Sequence, residues 1–286
     1  MICEKRGSRV EEADEFRPHF GGALANIAIA ARRAGAAVAL AGGAGDDPWG
    51  RWLRSLLERE GIELRWFSLV AGLRTPVAFA TFDRDGEPSF QIYGEGIEAC
   101  VRSLGDRVEE AVTEASALII GSNTLVGGPE RALTRRARRL ADEAGVPVLF
   151  DPNLREHRWD DLDVALELCR ELCEGALCVR ANHAEASAIT GAEDPAAAAA
   201  ELSALGARIA VVTRGANGAV MRGAVEAEVD GIEVDVVSTL GAGDAFMGTL
   251  AAHLGAAGWD PAGAEPALAA AVGESARACA HWGAIA

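Results

Sequence analysis

Residues Ala117–Asp151 read ALIIGSNTLVGGPERALTRRARRLADEAGVPVLFD. Two short apolar runs, ALIIG and VPVLFD, flank an amphipathic segment. Pro129 suits a first helical position and Gly145 suits the residue just past a helix end, so a helix is predicted over Pro129–Ala144. Strand, helix and strand in this order form a βαβ unit, in which the two strands lie parallel and the helix covers one face.

The pattern continues toward the C-terminus. A helix is predicted near Leu162–Cys173, a strand at ALCVR, a helix through AAAAAELSAL and a strand at RIAVVT. A glycine-punctuated hairpin region follows from Gly215 to Val229, then two helices around Gly243–Gly255 and Pro266–Ala280. The alanine run reads as helix, because alanine has the highest helix propensity. A chain of 286 residues, half of them apolar, can bury one large core, so a single α/β domain over 1–286 is expected.

Upstream, Ile62–Tyr93 reads differently. LRWFSLV, TPVAFATF and PSFQIY are strand-like, with DRDGEP as a hairpin turn between the last two. A small β element of this kind has a second face to bury. It is expected to close over a cleft or to pair with a second subunit.

Composition narrows the function. The formal charge of -16 repels phosphate backbones, which argues against nucleic acid as a partner. No uncharged run reaches the roughly 18 residues of a membrane helix, and the start, with Glu4, Lys5 and Arg6, lacks a signal-peptide apolar region. A cytoplasmic location is expected. Lys5 is the only lysine, so a Walker A loop is excluded and side-chain contacts to phosphate fall to arginine. No G-x-G-x-x-G follows the early strands, which argues against a dinucleotide dehydrogenase. The six cysteines lack the spacing of a disulfide scaffold and read as buried thiols.

The strongest local signal is IEVDVVSTLGAGDAFMGTLAAHL, Ile232–Leu254. It reads as a strand-like run ending at Ser238, a glycine turn, and a helix beginning near Asp244. The amides of Gly241, Ala242 and Gly243 would then point out of a helix N-terminus, where unpaired donors and the helix dipole attract anions. Asp244 alone could be a cap. Beside an anion seat it has a second use, because phosphoryl transfer needs one group to neutralise the moving phosphoryl and another to accept the hydroxyl proton.

At this point the sequence resembles the ribokinase-like, or PfkB, family of carbohydrate kinases. GGALANIAIAARRAGAAVALAGGAGDDPWGRWLRSLLEREGI over Gly21–Ile62 and STLGAGDAF over Ser238–Phe246 carry the resemblance, in the family's order and spacing. It implies a three-layer α/β/α sandwich with a mainly parallel central sheet and a small β lid, its strands drawn from about 7–20 and 62–93. It implies an ATP-dependent sugar kinase using Mg²⁺, with Asp244 as base and Gly241, Ala242 and Gly243 as anion hole. It also implies that Gly21, Gly22 and Asn26 bind sugar hydroxyls, that Asn182 and Glu185 in NHAE organise Mg²⁺ through water, and that Thr213, Arg214, Gly215 and Gly218 in TRGANG contact ATP. Taken singly, the glycines could be loop punctuation and Asn182 with Glu185 a capping box.

DPNLREHRW, from Asp151, lies at the carboxyl end of a strand, where open α/β sheets place ligands. Its DxNxR pattern resembles fructokinases and 2-keto-3-deoxygluconate kinases and adds Asn153 and Arg155 to the substrate side. Arg155 could pair with a substrate carboxylate or phosphate, or be bonded to loop carbonyls.

Two departures bear on the resemblance. The family opens with an apolar strand ending in an acidic residue. None precedes Gly21 here, and Met1–Glu4 read as the tail of such a strand, so a truncated start is expected. Ser238 stands where the family has Asp, which leaves a monovalent cation open and makes a rate insensitive to K⁺ the expectation. A non-catalytic sugar or nucleotide sensor on the same fold is the alternative of a different class, and a nucleoside kinase the alternative within the family.

Overall fold

The computed structural model describes residues 1–7, 9–94 and 96–285. Its strands are β1 Ile2–Arg6, β2 Gly42–Gly45, β3 Phe67–Val70, β4 Val77–Phe82, β5 Pro88–Tyr93, β6 Leu118–Gly121, β7 Val148–Asp151, β8 Cys178–Asn182, β9 Ile209–Thr213, β10 Ala219–Gly223 and β11 Ala227–Val229. Its α-helices are α1 Ala23–Arg33, α2 Pro48–Arg59, α3 Ile97–Arg102, α4 Val108–Thr113, α5 Gly128–Ala144, α6 Leu162–Cys173, α7 His183–Thr190, α8 Pro195–Ala204, α9 Ala242–Ala256 and α10 Ala264–Cys279.

The main sheet runs β11-β10-β9-β8-β7-β6, parallel from β6 to β9 and antiparallel through the final hairpin. Its strands are apolar on both faces because both are covered. Val148, Phe150, Val179, Ala181, Ala210 and Val212 face the layer of α4 to α8. Leu149, Cys178, Ile209 and Val211 face α1, α9 and α10. This is the three-layer sandwich expected. Alternation along each strand has a consequence for function: Asp151, Arg180 and Thr213, each two residues beyond one of that second set, lie on the α9 side at the strands' carboxyl ends.

α1 and α9 pack so closely that a Cβ at Gly248 would lie 2.5 Å from the Ile27 carbonyl oxygen and 2.6 Å from the Ala30 Cβ. That contact fixes the register of the two helices that carry Asn26 and Asp244.

Three elements differ from expectation. The small sheet is ordered β1-β4-β5. Its first strand is Ile2–Arg6, parallel to β4, where the sequence pointed to 7–20; within that stretch Arg17 makes only an isolated bridge to Ile2, and Ser8 lies outside the described residues. Met1–Glu4 thus belong to the lid in this structure, not to a core strand. Phe67–Val70 leaves the lid and pairs in parallel with Gly42–Gly45. Residues 232–238 form no strand. Ile232 and Val236 stay exposed, and the segment is held instead by Val237 and Ser238 amides on the Cys279 carbonyl, at 2.7 and 3.2 Å.

The lid closes over the body. Ile2, Ala80 and Phe82 are buried with Leu240 and Trp282 packed against them, and the Thr239 amide donates to the carbonyl of Gly86 in the hairpin turn at 3.1 Å. The lid turn therefore touches the loop that leads into α9. Among the described residues no helix is long and apolar enough to cross a membrane.

Candidate active site

A cavity of about 460 Å³ lies between the lid and the carboxyl ends of β6 and β7, and Gly21, Gly22, Asn26, Asn153, Arg155 and Asp244 all line it. These residues come from three separate parts of the chain, and the fold brings them together.

Asp244 enters the cavity from the first turn of α9. Its Oδ2 accepts a hydrogen bond of 2.7 Å from Asn26 Nδ2. Burial pushes its proton affinity up, to a pKa of about 6, against the pull of the Asn26 hydrogen bond and of Arg180 and Arg155. The carboxylate is therefore ionised near neutral pH yet more basic than a solvated aspartate. Asn26 is itself buried, and its Oδ1 has no partner.

The turn before Asp244 depends on Gly241, which caps the helix at φ 84°. A Cβ there would lie 2.5 Å from Ala284 Cα, so only glycine fits. The Ala242 amide already donates to the Thr239 carbonyl at 3.2 Å. Among the described residues the amides of Gly241 and Gly243 have no protein acceptor. Of the three predicted donors, two are thus free to meet an anion and one is used by the turn.

On the opposite wall, Asp151 Oδ1 accepts from the Asn153 amide at 3.1 Å. The bond holds Asn153 at φ 40°, a region that Asn tolerates better than most residues. Among the described residues the Arg155 side chain makes no hydrogen bond or ion pair; its Cζ stands 5.4 Å from the ring centroid of Phe90 on the lid. The loop-bonded alternative for Arg155 is not what the structure contains. Its donors are free, and its flat face rests on an aromatic ring.

The remaining predicted residues lie outside this cavity. Gly215 and Gly218 have φ of 58° and 80°, and the Arg214 amide closes the turn on the Gly218 carbonyl at 2.7 Å. Arg214 reaches toward Glu228 and the Ala219 carbonyl. The hairpin by itself accounts for these three. Thr213 Oγ1 accepts from Arg180 Nη2 at 2.7 Å.

Asn182 and Glu185 form the capping box of α7, each side chain accepting from the other's amide at 2.9 Å, while Glu185 Oε1 also accepts from the Leu154 amide at 2.8 Å. Among the described residues no group of three His, Cys, Asp or Glu side chains could hold a metal ion. The pair fits an outer, water-mediated role toward an ion whose inner ligands are phosphate and water, the usual situation of Mg²⁺.

Sequence reasoning missed Arg180, which pairs with buried Asp151 at 3.2 Å. Burial outweighs this ion pair and lifts Asp151 to a pKa of about 7. The available signal was three apolar runs, VPVLFD, ALCVR and RIAVVT, each carrying its polar residue near the carboxyl end.

A carboxylate of raised basicity that lines a cavity, with two free amides in the turn that precedes it, can deprotonate a hydroxyl and hold an anion close by. The comparisons with known proteins agree with that chemistry. The profile described as "pfkB family carbohydrate kinase" matches residues 2–285. Fructokinase-1 of Oryza sativa subsp. japonica is 33% identical over 252 residues, covering 85% of this chain and 76% of that protein. Fructokinase from Vibrio cholerae O395, solved with fructose, ADP and calcium ion, superposes with a TM-score of 0.82 at 28% identity, over 95% of this chain and 89% of the other. Aminoimidazole riboside kinase from Salmonella enterica, solved with aminoimidazole riboside and an ATP analog, gives the same TM-score, identity and coverage. With the family profile spanning residues 2–285 and a fructokinase one-third identical along most of both chains, the protein belongs to the pfkB family of carbohydrate kinases.

Proposed function

We propose that this chain transfers the γ-phosphoryl group of ATP to a hydroxyl of a small sugar, fructose-like or a keto-deoxy sugar acid. The observation that carries the reading is the position of Asp244: a carboxylate of raised proton affinity facing the cavity, with the free amides of Gly241 and Gly243 beside it. Gly21, Gly22, Asn26 and Asn153 bind acceptor hydroxyls, and Arg155 takes an oxygen at the far end. Asp244 accepts the proton of the attacking hydroxyl, while the turn amides hold the developing charge. Thr213, Arg214, Gly215 and Gly218 serve the nucleotide, and Asn182 with Glu185 orders water around Mg²⁺, which supplies charge neutralisation on the phosphates.

A coupled assay of ADP release over hexoses, pentoses, keto-deoxy acids and nucleosides tests this. Nucleosides are included because Phe90 offers a ring face to the cavity and a riboside kinase is among the similar structures. ADP release with a sugar is expected. Acceptor binding by calorimetry without ADP from any acceptor would turn the reading into that of a sensor. Arg155→Ala is expected to raise the acceptor KM by about 10-fold or more, as loss of a charged hydrogen bond does, with the KM for ATP within about twofold.

The outer face of the lid carries a contact chain of Phe16, Phe79 and Tyr93, with ring centroids 5.1 and 5.6 Å apart, and Tyr93 is 58% exposed. We infer that two chains pair through this face. Sedimentation velocity should give a dimer that Tyr93→Glu converts to monomer; a monomeric parent protein removes the inference.

A further inference from the structure

Arg180 is the buried cation that the reaction as described leaves without a task. It is 8% exposed, at the carboxyl end of β8. Nη1 donates to Asp151 Oδ2 at 3.2 Å and Nη2 to Thr213 Oγ1 at 2.7 Å. Its Cζ lies 5.7 Å from the ring centroid of Phe246 on α9. Nε is buried and has no partner.

The guanidinium also lies against the glycine turn. A Cβ built on Gly243 would sit 2.5 Å from Nη1 and 3.0 Å from Cζ. Gly243 has no left-handed φ to require glycine; the space is taken by Arg180. Glycine as the third residue of the GAG turn leaves room for the guanidinium to pack directly against the turn.

Charge around the turn explains why a cation belongs there. Asp151 from β7, Glu185 from α7 and Asp244 from α9 act on one another electrostatically, and Arg180 and Arg155 are the cations that act on them. A phosphoryl group on the amides of Gly241 and Gly243 adds further negative charge to three carboxyl groups. Two neutral amides oppose that poorly; a fixed guanidinium behind them opposes it at short range and low dielectric.

Resting on the kinase reading above, we propose that Arg180 is a positioning residue for the transferred phosphoryl group: through Gly243 it fixes the aim of the turn amides and places a positive charge behind them. Asp151 and Thr213 hold the guanidinium in that position. Selectivity follows. Arg180 acts on the terminal phosphate of a triphosphate, at the seat itself, and has little influence on a diphosphate that does not reach the seat.

Calorimetry with MgAMP-PNP and with MgADP tests this without any acceptor. Arg180→Gln is expected to weaken MgAMP-PNP by about tenfold or more, the scale of a lost charge-assisted contact, and to leave MgADP within about twofold. Arg180→Lys, which keeps the charge, recovers much of the difference. Loss of both nucleotides equally, or of neither, overturns the proposal, since a strand-end brace has no reason to distinguish them. Where Arg180→Gln fails to fold because Asp151 loses its partner, the double variant Asp151→Asn with Arg180→Gln removes both charges and is read in the same way. Parent protein that binds neither nucleotide refutes the kinase reading and this proposal with it. Parent protein that prefers MgAMP-PNP, with the variants unchanged, overturns the proposal alone.

Discussion

Asp244→Asn lowers turnover by about 10² to 10⁴-fold, the usual effect of removing a general base, while MgADP and acceptor binding measured by calorimetry stay within about threefold. Asn has the shape of Asp and can keep a hydrogen bond to Asn26, so the cavity should be undisturbed. On the proposed mechanism, what is lost is the basic carboxylate that accepts the hydroxyl proton. In the parent enzyme Asp244 is ionised only above its pKa of about 6. Below it, kcat/KM should fall about tenfold per pH unit on the acid side, and the variant should lack this limb. Near-parental turnover in Asp244→Asn would show that the proton leaves by another route.

The same pKa carries a stability signature. An unfolded Asp titrates near 3.8 and folded Asp244 near 6, so the folded state binds the proton more tightly. The contribution of Asp244 to stability is complete below about pH 4 and is lost as pH rises through about 6. Asparagine, always neutral, avoids that loss. Asp244→Asn should therefore melt a few degrees above the parent at pH 8 and together with it near pH 4. Asp151 is raised in part by the charge of Asp244, so the variant relieves it too, and the difference at pH 8 has the same sign. A variant made more stable by losing its activity would mark Asp244 as a residue kept for chemistry.

Much of the fold was readable because its signals are local. Pro129 at the start of α5 and Gly145 beyond its end, at φ 68°, bracket that helix as sequence reasoning expects. Asp161 caps α6 through the amides of Asp163 and Val164. In the lid hairpin, Asp83 Oδ1 accepts from the amides of Asp85 and Glu87. Elements without a side-chain signal were not readable. β2 is GGAG, and propensity cannot mark three glycines as a strand. Yet Gly43 and Gly45 are needed there, because a Cβ on either would collide with the backbone carbonyl of Ser68 or Leu73. With β2 invisible, the partner of Phe67–Val70 was invisible too. The run at 232–238 has the strand alternation but pairs with no strand, so periodicity alone misleads.

The site divides along the same line. Gly241 and Asp244 are neighbours in sequence, and turn chemistry made their joint use legible. Asn26 and Asp244 are 218 positions apart, and no property of either residue announces that they touch. Only the resemblance placed Asn26 in the site. Arg180 stood inside an apolar run and passed for part of a strand.

Gly241→Ala should cost the protein both stability and turnover. Residue 241 sits at φ 84°, where a Cβ costs about 1–2 kcal/mol. That Cβ would also lie 2.5 Å from both Cα and Cβ of Ala284, and overpacking of this kind costs about 1–3 kcal/mol more. The protein can relax only by turning the peptide, which redirects the amide of residue 241, or by moving the 284 segment, which loosens the whole turn. In both cases the two free donors no longer converge on one point. Loss of one such donor lowers kcat by about 10² to 10³-fold, and that is the expected size here. Acceptor affinity should survive, since Asn26, Asn153 and Arg155 lie on other elements. Adding Ala284→Gly removes the clash with the Ala284 Cβ but leaves the one with its Cα and the left-handed φ, so stability should recover only in part while turnover stays low. Recovery of both together would mean that the turn acts only as a joint between a loop and α9, and that the moving phosphoryl group is held elsewhere.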